Sequence, residues 1–354
     1  MCRLRTAFLS CAIFLFLTGR SISAFTVTDA LGRTIEFKKA PDRIVIAGRG
    51  LVMIADALYL FPEASGRVVA IEKIAQGRGD FLDAIDPVFK HKTMLPVEVG
   101  AEQILSTLPD VVLLKSYMEP KLGKPLQTLG VEVVYIDLET PEQYERDIIT
   151  LGKLLQNETR AQEIVVYYRS KKEWISRALA DLPESDRPRV LLLYYTERDG
   201  KVAFNVPPRG WMQTTLVELA GGKPLWKSMR AAKGWIKVGF EQIAAWNPDY
   251  IFITAYFNDP EEVVQGLTTD PKWCSLNAVR GQSIYAFPGD YFSWDQPDPR
   301  WILGLLWLAT TLHPAFFPLV DLIEETKNFY RVLYGLDKWT YERVIHPLLY
   351  GDIH

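Results

Sequence analysis

Histidine and cysteine are scarce in this chain of 354 residues, with four and three of each. None of His91, His313, His346 and His354 stands at metal-ligand spacing from another, which argues against a histidine-built metal centre. Charge of either sign is not in excess: 40 Lys and Arg face 43 Asp and Glu, for a net charge of −3. A nucleic-acid partner is therefore not indicated. There is no Walker loop, no Gly-x-Ser-x-Gly elbow and no thiol in a catalytic context. These absences point away from an enzyme, so no catalytic residue, cofactor or protein-held metal is assigned. Long apolar runs are missing too. Ala7–Leu17 and Trp301–Leu312 are both too short to span a bilayer.

What is present first is a leader. Arg3 and Arg5 precede the apolar Ala7–Leu17 run, and Ser21-Ile22-Ser23-Ala24 offers small residues for cleavage, so residues 1–24 read as a secretory signal peptide. A lipoprotein would need a cysteine just after the apolar run, where Gly19-Arg20 stand. Cys2 and Cys11 leave with the leader. Cys274 remains alone, without a disulfide partner, and reads as a small buried apolar side chain. Hydrophobic residues make up 48% of the chain, enough for a packed core, and the length fits two domains.

The organising feature is a stretch that occurs twice. Val99-Gly100-Ala101-Glu102-Gln103-Ile104 leads through four residues to Pro109-Asp110 and the apolar run Val111–Leu114. Val238-Gly239-Phe240-Glu241-Gln242-Ile243 leads in the same way to Pro248-Asp249 and Tyr250–Ile253. Each copy reads as a short helix, a Pro-Asp turn and a buried strand. The two glutamates lie 139 positions apart, far beyond a solenoid period, which fits two similar lobes.

Around these copies, Phe25–Phe37 alternates as an edge hairpin, and strands alternate with helices from Ile44 to about Ile136. Thr140-Pro141 starts one helix. Asn157 caps a longer one, Glu158 to about Leu182, uninterrupted by glycine or proline and so read as a stiff strut. Thr196–Gly200 reads as the turn after the strand Val190–Tyr194. The expected organisation is an N-terminal lobe at 25–156, a linking helix at 157–184, a C-terminal lobe at 185–318 and a helical segment at 319–354. The fold class is α/β: two doubly wound parallel-sheet lobes joined by a long rigid α-helix.

Ligands of open α/β sheets sit outside the carboxyl ends of the strands. That rule selects Arg49, Lys115, Tyr117, Tyr256, Tyr291 and Trp294 as candidate ligand contacts, and the stiff loop Val206–Trp211 adds Arg209 and Trp211. The three cations suit carboxylates, catecholates or oxyanions, and the aromatics an apolar surface.

Asp29-Ala-Leu-Gly-Arg33, Pro41-Asp42-Arg43-Ile44-Val45, both repeat copies, Gly130-Val-Glu-Val, Leu219-Ala-Gly-Gly222, Ala278-Val279-Arg280 and Pro299-Arg300 before Gly304-Leu-Leu-Trp307 occur in this order. Taken together, the chain resembles the periplasmic substrate-binding proteins of ABC importers for iron–siderophore, haem and cobalamin. The resemblance covers nearly all of the mature chain. It implies a monomer in the periplasm that holds a metal chelate between its lobes and meets a permease dimer with its ATPase subunits. It also implies that Glu102 and Glu241 dock on the permease. Trp235 matches a pocket tryptophan of the cobalamin branch, whereas Pro96 and Lys115 replace two others. That departure favours an iron(III)–siderophore type of ligand over cobalamin. A molybdate or tungstate binder on the same fold, or a chelatase-like metal enzyme, are the alternatives.

Overall fold

The computed structural model describes Ala24–Ile353, apart from Ala75, Ala231 and Lys233. The expected signal peptide, Ala24 excepted, lies outside the described residues.

Phe25–Thr28 (β1) and Thr34–Phe37 (β2) pair antiparallel with Phe25 opposite Phe37. The Asp29 carboxylate fixes their turn by accepting from the Leu31 and Arg33 backbone N–H groups at 3.0 Å. Arg33 then reaches the Val133 carbonyl at 2.7 Å and ties the hairpin to the sheet behind it.

That sheet has five strands in the order β5-β4-β3-β6-β7: Ile44–Ile46 (β3), Val68–Glu72 (β4), Thr93–Leu95 (β5), Val111–Leu114 (β6) and Val133–Tyr135 (β7). Every neighbouring pair is parallel, and β3, β6 and β7 are wholly buried, as near-continuous apolar runs require.

The second sheet is mixed, not all-parallel as the sequence led us to expect. Its path is β11-β9-β8-β12-β13, with Arg189–Arg198 (β8), Lys201–Val206 (β9), Ile236–Val238 (β11), Tyr250–Thr254 (β12) and Ile284–Ala286 (β13), and Lys223–Pro224 (β10) pairs parallel with β8. β8, β12 and β13 are parallel, whereas β9 runs antiparallel to its two neighbours β8 and β11. The reason lies at Asp199-Gly200. Both residues have positive φ, 51° and 72°, the geometry of a tight two-residue hairpin. The residues Thr196–Arg198, expected in a turn, continue the strand.

Between the sheets in sequence stand the helices Pro141–Leu155 and Glu158–Ala178. The Thr140 and Asn157 side chains cap them by accepting from the Gln143 and Arg160 N–H groups at 3.2 and 3.1 Å. The second helix has 21 residues, about 31 Å at ~1.5 Å each. It stops short of Leu182. Tyr168 on it stacks on Trp301 at 5.1 Å and donates to the Pro299 carbonyl at 2.7 Å. The apolar helix Trp301–Leu312 thereby packs against it. Gly304 lets that helix approach the Trp294 carbonyl, where a Cβ would come within 2.3 Å.

A buried charge cluster joins this helix start to the first lobe. Arg300 donates to Asp56 at 2.6 Å, Asp290 at 2.7 Å and Asp298 at 3.2 Å, and none of the four side chains is more than 1% exposed. Tyr330, on the C-terminal helix Leu322–Tyr334, donates to Asp290 at 2.7 Å. Burial raises the Asp56 and Asp298 carboxyls, and the Arg300 charge offsets only part of that rise. Cys274, expected to be buried, is exposed. Among the described residues, no helix is long and apolar enough to cross a membrane.

Candidate functional site

The carboxyl ends of both sheets' parallel strands border a central chamber of about 510 Å³. Met53, Gln76, Tyr117 and Glu139 come from the first lobe, and Tyr194, Trp211, Trp235 and Tyr256 supply the facing wall. Those four rings form one cluster. Tyr194 lies 4.9 Å from Trp235 and 4.5 Å from Tyr256, and Trp211 stands edge-on to Trp235 at 5.7 Å. Their positions come from the topology. Tyr194 is on β8, Tyr256 lies just past β12, Trp235 precedes β11, and Trp211 precedes the helix Met212–Leu219.

A buried carboxylate sets the polar order of this wall. Asp295 is fully buried, and it accepts from Tyr256 Oη at 2.7 Å, Ser293 Oγ at 2.6 Å, Thr254 Oγ1 at 2.9 Å and Gln213 Nε2 at 3.4 Å. Burial raises its carboxyl pKa, and the four donors offset part of that. Gln213 is 3% exposed, and its Oε1 has no hydrogen-bond partner among the described residues.

A loop from the first lobe subdivides the cleft. Gln76 Nε2 donates to Gln296 Oε1 at 2.6 Å. Two residues on, the Arg78 N–H donates to the Tyr291 carbonyl at 2.8 Å, its guanidinium pairs with Asp259 at 3.1 Å, and it lies 3.8 Å over the Tyr350 ring. Gly77 makes the crossing possible: its φ is 97°, and a Cβ would sit 2.5 Å from Phe292. Behind this bridge is a polar side chamber of about 320 Å³, lined by Arg78, Asn258, Asp259 and Tyr291 among others.

The expected contacts separate clearly against this geometry. Tyr117, Trp211, Trp235 and Tyr256 line the central chamber. Tyr291 is 7% exposed and lines the side chamber. Arg49 lines a third recess of about 240 Å³ and pairs with Glu98 at 3.0 Å. Three placements are corrected. Lys115 is fully buried beneath β6, where it donates to the Asp137 carbonyl and pairs with Glu139 at 2.8 Å. A fully desolvated ammonium needs such partners, so it serves the fold and does not line the cleft. Trp294 is also fully buried, donating to Asp290 at 3.0 Å. Arg209 is exposed and borders none of the three spaces. The contributions of Tyr194, Gln213, Gln296 and Asp295 were not foreseen. Tyr194 was accessible to the strand-end rule; Gln213 and Asp295 carry no sequence signal.

Glu102 and Glu241 are exposed, each in the first turn of its repeat helix, Ala101–Leu105 and Phe240–Trp246. Neither carboxylate has an ion-pair or hydrogen-bond partner among the described residues. Neither borders the central chamber. Among the described residues, no three His, Cys, Asp or Glu side chains converge to hold a metal ion.

Two α/β lobes enclosing an aromatic cleft at their strand ends define a ligand-capturing protein. Residues 75–291 match the family described as periplasmic binding protein, and the chain belongs to that family. The molybdate-binding protein MolA of Haemophilus influenzae is 25% identical over 94% of this chain and 97% of its own length. Its molybdate-bound structure superposes with a TM-score of 0.72 at 20% identity, covering 88% of this chain and 98% of that one. The Fe(3+)-citrate-binding protein YfmC of Bacillus subtilis is 24% identical over 53% of this chain and 56% of its own. The Helicobacter pylori CeuE structure in a Ni–His complex has a TM-score of 0.71 at 20% identity, covering 91% of this chain and 99% of that one. The chain is thus a binding protein of the periplasmic family and not an enzyme.

Proposed function

We propose that the central chamber captures a chelated metal, an iron(III)–siderophore type of complex being the reading carried from the sequence, and that the protein delivers it to a permease. The observation behind this is the four-ring wall of Tyr194, Trp211, Trp235 and Tyr256, which offers far more apolar face than a bare oxyanion could use. A chelate that arrives with its own donor atoms needs none from the protein. Glu102 and Glu241 are the docking residues in this reading: exposed, unpaired and outside the chamber, they are free to meet arginines of the two permease subunits. The lobes are assigned to 25–156 and 185–318 around the helix of 157–184. Export would accompany cleavage of residues 1–24, and the protein would act as a monomer.

A second reading has one observation in its favour, the molybdate-binding relative that matches along 94% of the chain. Native mass spectrometry of protein purified from the periplasm separates the two. An added mass carrying an organic chelator and a metal isotope pattern supports the first reading. A tetrahedral oxyanion mass supports the second.

A further inference from the structure

Trp211 and Trp235 bring indole N–H groups to the central chamber, and the other polar groups of its lining are largely committed. Tyr256 commits its hydroxyl proton to Asp295 at 2.7 Å, and Tyr117 commits its own to the Arg49 carbonyl at 2.8 Å. Gln213 turns its amide N–H toward Asp295. That assignment is fixed by chemistry, because Asp295 already accepts three hydroxyl protons and a carbonyl oxygen in that place would be repelled. The Gln213 Oε1 that remains is buried and unpartnered, on a side chain that borders the chamber. Leaving such an oxygen unsatisfied is costly, and a ligand N–H would recover that cost. Glu139 contributes a carboxylate to the same lining, with its Lys115 partner buried behind it. No lysine or arginine lines the chamber among the described residues. The ring faces of the wall carry negative charge density and attract cations.

We propose that this chamber selects a cationic complex whose outer surface carries N–H groups, and that it rejects oxyanions and polyanionic chelates. The proposal rests on the reading of the cleft as a chelate site. The expected specificity is opposite to that of the molybdate-binding and ferric-citrate-binding relatives, and opposite to the anionic ligand that three cationic candidate residues led us to expect. Gln213 is the specificity-determining residue: its oxygen meets the ligand donor. Asp295 is a positioning residue, holding Gln213 and Tyr256 in place.

The test titrates the mature protein with four probes, using tryptophan fluorescence and calorimetric heat as readouts. These are iron(III) in a linear trihydroxamate with a terminal ammonium, the same chelate N-acetylated, iron(III) tris-catecholate, and molybdate. The ammonium chelate should bind at least tenfold more tightly than its acetylated form, and at least a hundredfold more tightly than tris-catecholate or molybdate. Equal binding of the ammonium and acetylated forms overturns the proposal. Preference for tris-catecholate also overturns it while leaving the chelate reading intact. Preference for molybdate overturns both, as does failure of all four probes to bind. Gln213→Met, checked for an unchanged melting temperature, should weaken the ammonium chelate at least fivefold. Unchanged affinity in that variant removes Gln213 from recognition and overturns the proposal.

Discussion

The two copies of the repeat share their anchoring and differ beyond the ends of their strands. In the first copy, Asp110 accepts from the Asp42 and Arg43 backbone N–H groups at 2.8 and 3.0 Å, and the Arg43 side chain reaches the Leu108 and Thr107 carbonyls. In the second, Asp249 accepts from the Arg189 N–H at 2.9 Å, and Arg189 reaches the Trp246 and Asn247 carbonyls. One arginine at a strand start thus closes the same helix end in both lobes. Past the strands the copies diverge. β6 is followed by Lys115, which is turned inward and neutralised by Glu139; β12 leads to Tyr256, whose ring faces the cleft. The shared residues therefore build and orient each lobe, and the proposed ligand site is written in the residues just past the strand ends. Fold and function are specified at adjacent positions by unrelated side chains.

The largest effect should come from breaking what the copies have in common at the surface. Glu102→Ala combined with Glu241→Ala should abolish uptake and permease-stimulated ATP hydrolysis and leave ligand affinity unchanged. Charge reversal to arginine should be worse, because repulsion is added to the lost pair. Normal transport by the double variant, or loss of ligand binding, would show the repeat to be structural only.

The next effect sharpens the difference between the strand ends. Trp235→Ala should weaken capture of the native ligand more than tenfold, about 1.4 kcal/mol, by removing a ring that touches Tyr194, Trp211 and Tyr256. Arg49→Ala should change affinity less than threefold, since that guanidinium is 73% exposed and paired with Glu98. Lys115→Ala should act through stability, because it unpairs Glu139 and the Asp137 carbonyl. Calorimetry beside a denaturation curve separates the two kinds of loss.

These contrasts show what the sequence could carry. The repeat, the caps at Thr140 and Asn157, the hairpin at Asp29–Arg33 and most strands were legible, because local chemistry decides them: a Pro-Asp turn, an Asn or Thr oxygen facing free N–H groups, an apolar run of strand length. The reversal at Asp199-Gly200 was written as plainly but read as a longer loop. Burial was not legible. Lys115 and Trp294 stand at strand ends or in loops just as Tyr117 and Trp211 do, and only the packing of Asp137, Glu139 and Asp290 around them decides that they turn inward. The amide of Gln213 becomes informative only once Asp295, 82 positions away, is seen beneath it.

The lobe junction has no counterpart within either copy, and pH probes it. Burial raises the Asp298 carboxyl, with Asp56 and Asp290 raising it further and Arg300 opposing. A carboxyl raised in the folded state binds its proton there while the unfolded chain has lost it. Its contribution to stability is therefore full below the ordinary carboxylate range and is lost as pH climbs through the raised value. Asp298→Asn removes that proton exchange. Subtracting its unfolding free energies from those of wild type should leave a difference that falls with rising pH, by up to ~1.4 kcal/mol per unit. The subtraction matters because carboxyls held low, such as Asp86 and Asp249, tilt the whole-protein curve the other way. A flat difference would mean that Asp298 titrates alike in the folded and unfolded chain.

The smallest effect tests whether the copies are equally well made. In both copies the residue just before the proline is left-handed, Leu108 at φ 52° and Asn247 at φ 40°. Asparagine tolerates that conformation, whereas for a leucine Cβ it costs roughly 1–2 kcal/mol. Leu108 is 71% exposed, so its side chain offsets little of that by packing. Leu108→Asn should therefore stabilise the protein by ~0.5–1 kcal/mol in chemical denaturation. The reverse exchange, Asn247→Leu, should cost more than the first gains, because Asn247 Oδ1 also accepts from the Asn277 N–H at 2.9 Å. Should Leu108→Asn destabilise instead, the leucine side chain contributes more to the fold than its left-handed conformation costs. Equal and opposite changes in the two variants would mean that backbone conformation alone separates the copies at this point.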